Sequence, residues 1–154
     1  MLGLVTGVGR FAVMMEAVAI HDARSLGGGR FLAFDLIDVL RVALTDVLES
    51  MWRCRNVECA GPMADKLHNA SEKGIELGGA DLVRLAAGIQ QVIDGDFEAT
   101  RKGANRPWLL VRAIDSTCYV VVTKDAGFLR GVRQRFNDVH DSPNDAIDLP
   151  FVRR

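Results

Sequence analysis

Pro107-Trp108-Leu109-Leu110-Val111-Arg112-Ala113-Ile114, then Asp115-Ser116, then Thr117-Cys118-Tyr119-Val120-Val121-Val122-Thr123: the reading of this stretch decides the fold. Two runs rich in β-branched and aromatic residues are separated by two small polar ones, which is the pattern of an antiparallel hairpin. Upstream, Phe97-Glu98-Ala99-Thr100-Arg101 reads as a further strand. Downstream, Thr123 or Asp125 caps a helix predicted from about Asp125 to Phe136. Phe128, Leu129, Val132 and Phe136 form its apolar face, and Arg130, Arg133 and Arg135 suit the negative end of the helix dipole.

Further out, the periodicity predicts a long amphipathic helix over Phe34–Arg53. Leu36, Leu40, Leu44 and Leu48 recur at i+4, Ile37, Ala43, Val47 and Met51 widen the stripe, and Asp35 stands at the N-cap. Asn56 to Lys73 reads as a polar connection broken at Gly61-Pro62, with a short helix over Met63–Ala70. Gly74–Leu77 is a brief strand, and a helix follows from Asp81 to about Ile93, closed by Asp94-Gly95. Short connections between successive strands favour antiparallel pairing. The expected class is therefore α+β: a small antiparallel sheet of about three to four strands packed against a long amphipathic helix and two shorter helices. Residues 31–154 form the expected single domain. Residues 1–30 form an apolar, Gly-spotted N-terminal segment, flexible or interface-forming, that ends in Gly27-Gly28-Gly29. Within it Phe11, Met14, Met15, Val18 and Ala19 fit one side of a short helix over Phe11–Ile20.

The 154 residues are 49% hydrophobic and 25% charged, the balance of a globular chain able to bury a core. A net charge of −1 gives no general attraction to nucleic acid or to an anionic membrane. Three cysteines make no disulfide framework and point to a reducing cytoplasm. No run approaches the roughly 18 apolar residues of a membrane helix. Ala17-Val18-Ala19 has the small-x-small form of a signal-peptidase site. However, no Lys or Arg precedes the apolar stretch, Arg10 splits it and Glu16 adjoins the site, all against an exported chain.

The candidate chemical motifs each have an ordinary counterpart. Gly7-Val8-Gly9-Arg10-Phe11-Ala12 has the G-x-G-x-x-A form of a dinucleotide loop, but no second parallel strand with an acidic end follows. Cys54, Cys59 and His68 offer three soft ligands without a fourth, and a Cys54–Cys59 disulfide needs oxidising conditions. Asp94, Asp96 and Glu98 alternate at strand period and read as a solvated edge rather than a hard-cation site. Asp115 with Thr123-Lys124 lacks the second carboxylate of a metal-dependent nuclease, since Val122 stands in its place. His140 lies between Asp138 and Asp141, without a nucleophile. No catalytic residue, cofactor or metal is assigned.

These observations predict a non-catalytic protein–protein interaction module, a homo-oligomeric adaptor or an immunity/inhibitor-type protein. Its partner is another protein or its own copy. The expected interface residues are Trp52, Trp108, Phe11, Met14 and Met15, because aromatic and Met side chains anchor interfaces. One alternative is a small-molecule-binding domain or enzyme with a pocket between the long helix and the sheet, using Arg112, Asp115 and His140. The other is a single-stranded nucleic-acid binder, using Arg101, Lys102, Arg106, Arg112, Lys124, Arg130, Arg133 and Arg135 beside Trp108 and Tyr119.

Overall fold

The sequence's central hairpin becomes the middle of a seven-stranded sheet. The structure, a computed structural model, describes residues 15–147. Three strands come first: β1 (Glu16–Ile20), β2 (Ala23–Leu26) and β3 (Gly29–Leu32). Two short helices follow, α1 (Leu36–Leu40) and α2 (Leu44–Leu48), joined by a 3-10 turn at Arg41–Ala43. Then come β4 (Ser50–Ala60), α3 (Ala64–Ser71), β5 (Ile75–Gly78), α4 (Gly79–Gly88), β6 (Gln91–Arg101), β7 (Leu109–Ile114), β8 (Cys118–Thr123), α5 (Ala126–Arg135), β9 (Val139–Asp141) and α6 (Pro143–Ile147). The sheet order is β5-β4-β6-β7-β8-β1-β9, antiparallel throughout; β2 and β3 form a separate ribbon.

The β7–β8 register runs from Leu109 opposite Thr123 to Ile114 opposite Cys118. Three residues, Asp115, Ser116 and Thr117, lie between the paired Ile114 and Cys118; Asp115 and Ser116 take positive φ, 46° and 57°, and the Thr117 amide donates to the Ile114 carbonyl at 2.8 Å, closing the loop. The Asp115 amide donates to Asp94 Oδ1 at 2.7 Å, which ties the turn to β6. On one face of the sheet Val18, Ile20, Trp52, Cys54, Phe97, Val111, Tyr119 and Val121 pack against the helices in the main core. The other face is divided. Ala17, Ala19, Leu110, Cys118, Val120 and Val122 make a second buried apolar cluster. Toward β4 the same face carries charges in register: Asp96 lies opposite both Arg55 and Arg112, and Arg53 opposite both Glu76 and Glu98. Opposite charges facing each other across strands stabilise the pairing.

The expected small sheet against a long helix is overturned. Ala43, at φ −141° and ψ 62°, leaves helical space, and Ser50 already begins a strand. The leucine row misleads because Leu44 and Leu48 point outward, while the buried side chains are Leu36, Val39, Leu40 and Val47. Asp35 does cap α1, in a capping box with Asp38. β4 then takes in both the end of the supposed helix and the start of the supposed polar connection: Ser50, Trp52 and Cys54 turn inward while Met51 is exposed. The helix expected to reach Ile93 ends at Gly88, and Asp94-Gly95 lies inside β6 rather than at a turn. The described part of the expected Phe11–Ile20 helix is β1, with Val18 and Ala19 on opposite faces of the sheet. No helix among the described residues is long and apolar enough to cross a membrane.

Candidate interaction surface

Between β1 and α1 the chain reads Ala23-Arg24-Ser25-Leu26-Gly27-Gly28-Gly29-Arg30-Phe31-Leu32. Gly27 and Gly28 have φ of 58° and 85°, so they form a two-residue hairpin turn with positive φ at both positions. Few residues other than glycine take that turn without strain. Four residues on each side make a ribbon about 13 Å long at the usual strand rise. An isolated two-stranded ribbon is marginal in water, and this one is braced at its base. The Ala33 amide donates to the Asp22 carbonyl at 3.0 Å. The Asp22 carboxylate accepts from the amides of Asn137, at 3.0 Å, and Asp138, at 2.6 Å. The His21 amide donates to the Asp138 carbonyl at 2.8 Å.

The register sorts the ribbon's side chains. Arg24 lies opposite Phe31 and Leu26 opposite Gly29, so Arg24, Leu26 and Phe31 share one face. A Cβ at Gly29 would come within 3.0 Å of the Phe31 ring, so the glycine leaves room for the ring over the strand. Leu26 is 65% exposed and Phe31 45%.

One groove adjoins this face, and a second lies next to the first. The first, of about 250 Å³, runs between Arg24 and Phe31 on the ribbon and Phe34, Asp35, Gln90 and Gln91 on the body. Asp35 shapes its floor. Its Oδ1 accepts from the amides of Leu36 at 3.0 Å and Val92 at 3.2 Å and from the Tyr119 hydroxyl at 2.8 Å. Burial, with the Asp35 charge and hydrogen bond behind it, pushes the Tyr119 phenol well above its usual range. The second groove, of about 310 Å³, is lined by Cys59, Ala60, Met63, Leu85 and Ile89, with the exposed Asp81–Arg84 ion pair, at 3.3 Å, among its lining residues. The Gln90 amide donates to the Ala60 carbonyl at 3.1 Å, where the linings of the two grooves meet. Burial, and then the Asp35 charge, raise the Cys59 thiol above its ordinary value.

The expected interface residues are scattered. Trp52 is 1% exposed and donates from Nε1 to the Val47 carbonyl at 3.0 Å, so it presents no surface. Trp108 is half-buried, its Nε1 donating to Ser50 Oγ at 2.9 Å and its ring beneath the Arg101 guanidinium, 4.2 Å from the centroid. Met15 is half-buried against the second apolar cluster. Phe11, Met14 and the Gly7–Ala12 motif lie outside the described residues.

Arg112 and His140 occupy one cross-strand row, through Val120 and Ala19, but three strand spacings separate them, about 14 Å. Arg112 is instead held by Asp96 at 2.7 Å and His140 by Asp138 at 2.5 Å. Among the described residues no group of three or more His, Cys, Asp or Glu is placed to hold a metal ion. Cys54 is buried in the core, and His68 sits within 3.5 Å of Glu72. Several of the basic residues considered for nucleic acid have carboxylate partners: Arg101 with Asp46, Arg133 with Asp141, Arg135 with Asp38.

Leu26 and Phe31 were not among the expected site residues. The signal was present in Gly27-Gly28, a two-residue hairpin turn hidden inside a triple glycine that reads as a linker. Comparison of the chain with protein-family models, with curated proteins and with solved structures returned no match.

Proposed function

We propose that this chain is a protein-interaction module, of the adaptor or inhibitor type, that grips its partner with the β2–β3 ribbon. One observation carries the reading: a braced ribbon holds Leu26 and Phe31 out in solvent, on the same face as Arg24. Exposed apolar side chains grouped on a presented element mark a binding surface. Aromatic residues and Arg are the types that interfaces favour. Bracing also lowers the ordering cost of binding. The balanced net charge fits a protein partner better than a membrane or a nucleic acid. Three free thiols fit a reducing cytoplasm.

A photo-crosslinking amino acid in place of Leu26, in the full chain inside cells, tests the reading. Strong protein adducts are expected at position 26 and not at Thr117, an exposed residue in the β7–β8 loop. Adducts at position 26 should vanish when Phe31→Asp is added. Equal labelling at the two positions would reject the ribbon as the contact element.

A further inference from the structure

Resting on that reading of the ribbon, we infer that the partner is a second copy of this chain. Each ribbon seats Leu26 and Phe31 in the 310 Å³ groove of the other copy, about a two-fold axis.

Position supports this occupant. Gln90 lines the groove bordered by the ribbon face and its chain neighbour Ile89 lines the receiving groove, and the strand register puts the Ala60–Gln91 pair at the end of the sheet where β1 leads into the ribbon. When one surface carries both the inserting element and its receptor, two copies can exchange them and close as a symmetric dimer, the commonest closed assembly. Size agrees as well. A cavity of about 150 Å³ accepts one benzene ring, so the groove has room for a leucine and a phenylalanine side chain together. Its wall is apolar, and Met63 there is 48% exposed.

Charge completes the match. Arg24 shares the inserting face with Leu26 and Phe31, and among the described residues it has no ion-pair partner. Among the described residues Asp81, at the groove, has an ion pair only with Arg84, and that pair is exposed. Direct ribbon-to-ribbon pairing would bring Arg24 and Arg30 of both copies together with no acid on either ribbon, and such like-charge contacts disfavour a complex.

The test uses the full chain in three forms: wild type, a ribbon variant (Leu26→Asp with Phe31→Asp) and a groove variant (Met63→Lys with Asp81→Lys). Native mass spectrometry and sedimentation of the wild type should give twice the 16.8 kDa chain mass. Each variant alone should dimerise about thirtyfold more weakly, or worse. An equimolar mixture should recover a heterodimer, because one intact ribbon then meets one intact groove. A mixture that stays monomeric while the wild type dimerises would overturn the exchange. A wild type that stays monomeric, with Leu26 still crosslinking a foreign protein, would overturn the self-partner and leave the ribbon reading standing. A second measurement does not depend on the charged variants. Leu26→Cys, oxidised with diamide, should give a covalent dimer that Cys59→Ser abolishes; a covalent dimer that survives Cys59→Ser counts against the seat.

Discussion

At the scale of single residues, the Asp35–Tyr119 pair joins the body's core to the groove beneath the ribbon. The Tyr119 ring packs against Phe34, with centroids 5.3 Å apart, while its hydroxyl donates to a carboxylate that also caps α1. Tyr119→Phe keeps the ring and removes the donor. A hydrogen bond to a charged group contributes about 1.5–3 kcal/mol, so a loss of that size in urea unfolding is expected. An unchanged midpoint would show that Asp35 is fully served by its backbone donors. Burial raises the Cys54 thiol from 9.0 to about 12. Below the lower value, folded and unfolded chains both keep the proton. Above it the unfolded chain releases the proton while the folded chain holds it, so stability falls as pH rises from about 9 to about 12. The slope reaches about 1.4 kcal/mol per pH unit. Unfolding measured from pH 8 to 11 should show this decline in the wild type and a shallower one in Cys54→Ala. Parallel curves would assign the decline to other groups, Tyr119 first among them.

At the scale of elements, the tightest of the described glycine positions lies where α4 meets α2. A Cβ on Gly79 would sit 2.1 Å from the Val47 carbonyl oxygen and 2.6 Å from the Leu48 Cα, both backbone atoms that cannot swing aside. A Cβ on Gly78, one residue earlier, would meet nothing within 4 Å. Gly79→Ala should therefore cost about 1–3 kcal/mol through overpacking, while Gly78→Ala stays close to wild type; equal melting of the two would contradict the α2–α4 contact. The same region shows where elements were legible in the residue order. The β7–β8 hairpin and α5 were, because each carries its pattern and its stop signals locally: Asp115-Ser116 for the turn, Asp125 for the cap. The α2–β4 boundary was not. The outer face of β4, with Arg53 and Arg55, is polar because Glu76 of β5 and Asp96 and Glu98 of β6 lie opposite. Those partners come 20 or more positions later in the chain, so no local period announces them. The ribbon was hidden for another reason: with none of its residues buried, no apolar alternation marks β2 or β3, and only the glycine turn remained to be read.

At the scale of the whole molecule, the first described strand and the ribbon after it differ in what they contribute. β1 lies between β8 and β9 and sends Val18 and Ile20 into the main core and Ala17 and Ala19 into the second cluster. It therefore joins sequence-distant parts of the sheet and is packed on both faces. The ribbon leaves the body at Asp22 and returns at Ala33, closed by a backbone hydrogen bond. None of its residues is buried, and among the described residues its ion pair with the body, Arg30 with Asp138 at 3.8 Å, is solvent-exposed. Excising Arg24–Phe31 and joining Ala23 to Leu32 through Asn-Gly should keep the Ala23–Leu32 pair and shift unfolding by no more than about 0.5 kcal/mol, the range of surface changes. Ile20→Ala removes only part of one fully buried side chain, yet it should cost about 2–5 kcal/mol through the cavity it leaves. Urea unfolding followed by Trp52 fluorescence measures both, since that indole lies in the same core. If the excision destabilises the protein as much as Ile20→Ala does, the ribbon is part of the fold, and its exposed Leu26 and Phe31 lose their standing as residues kept for contact with another molecule.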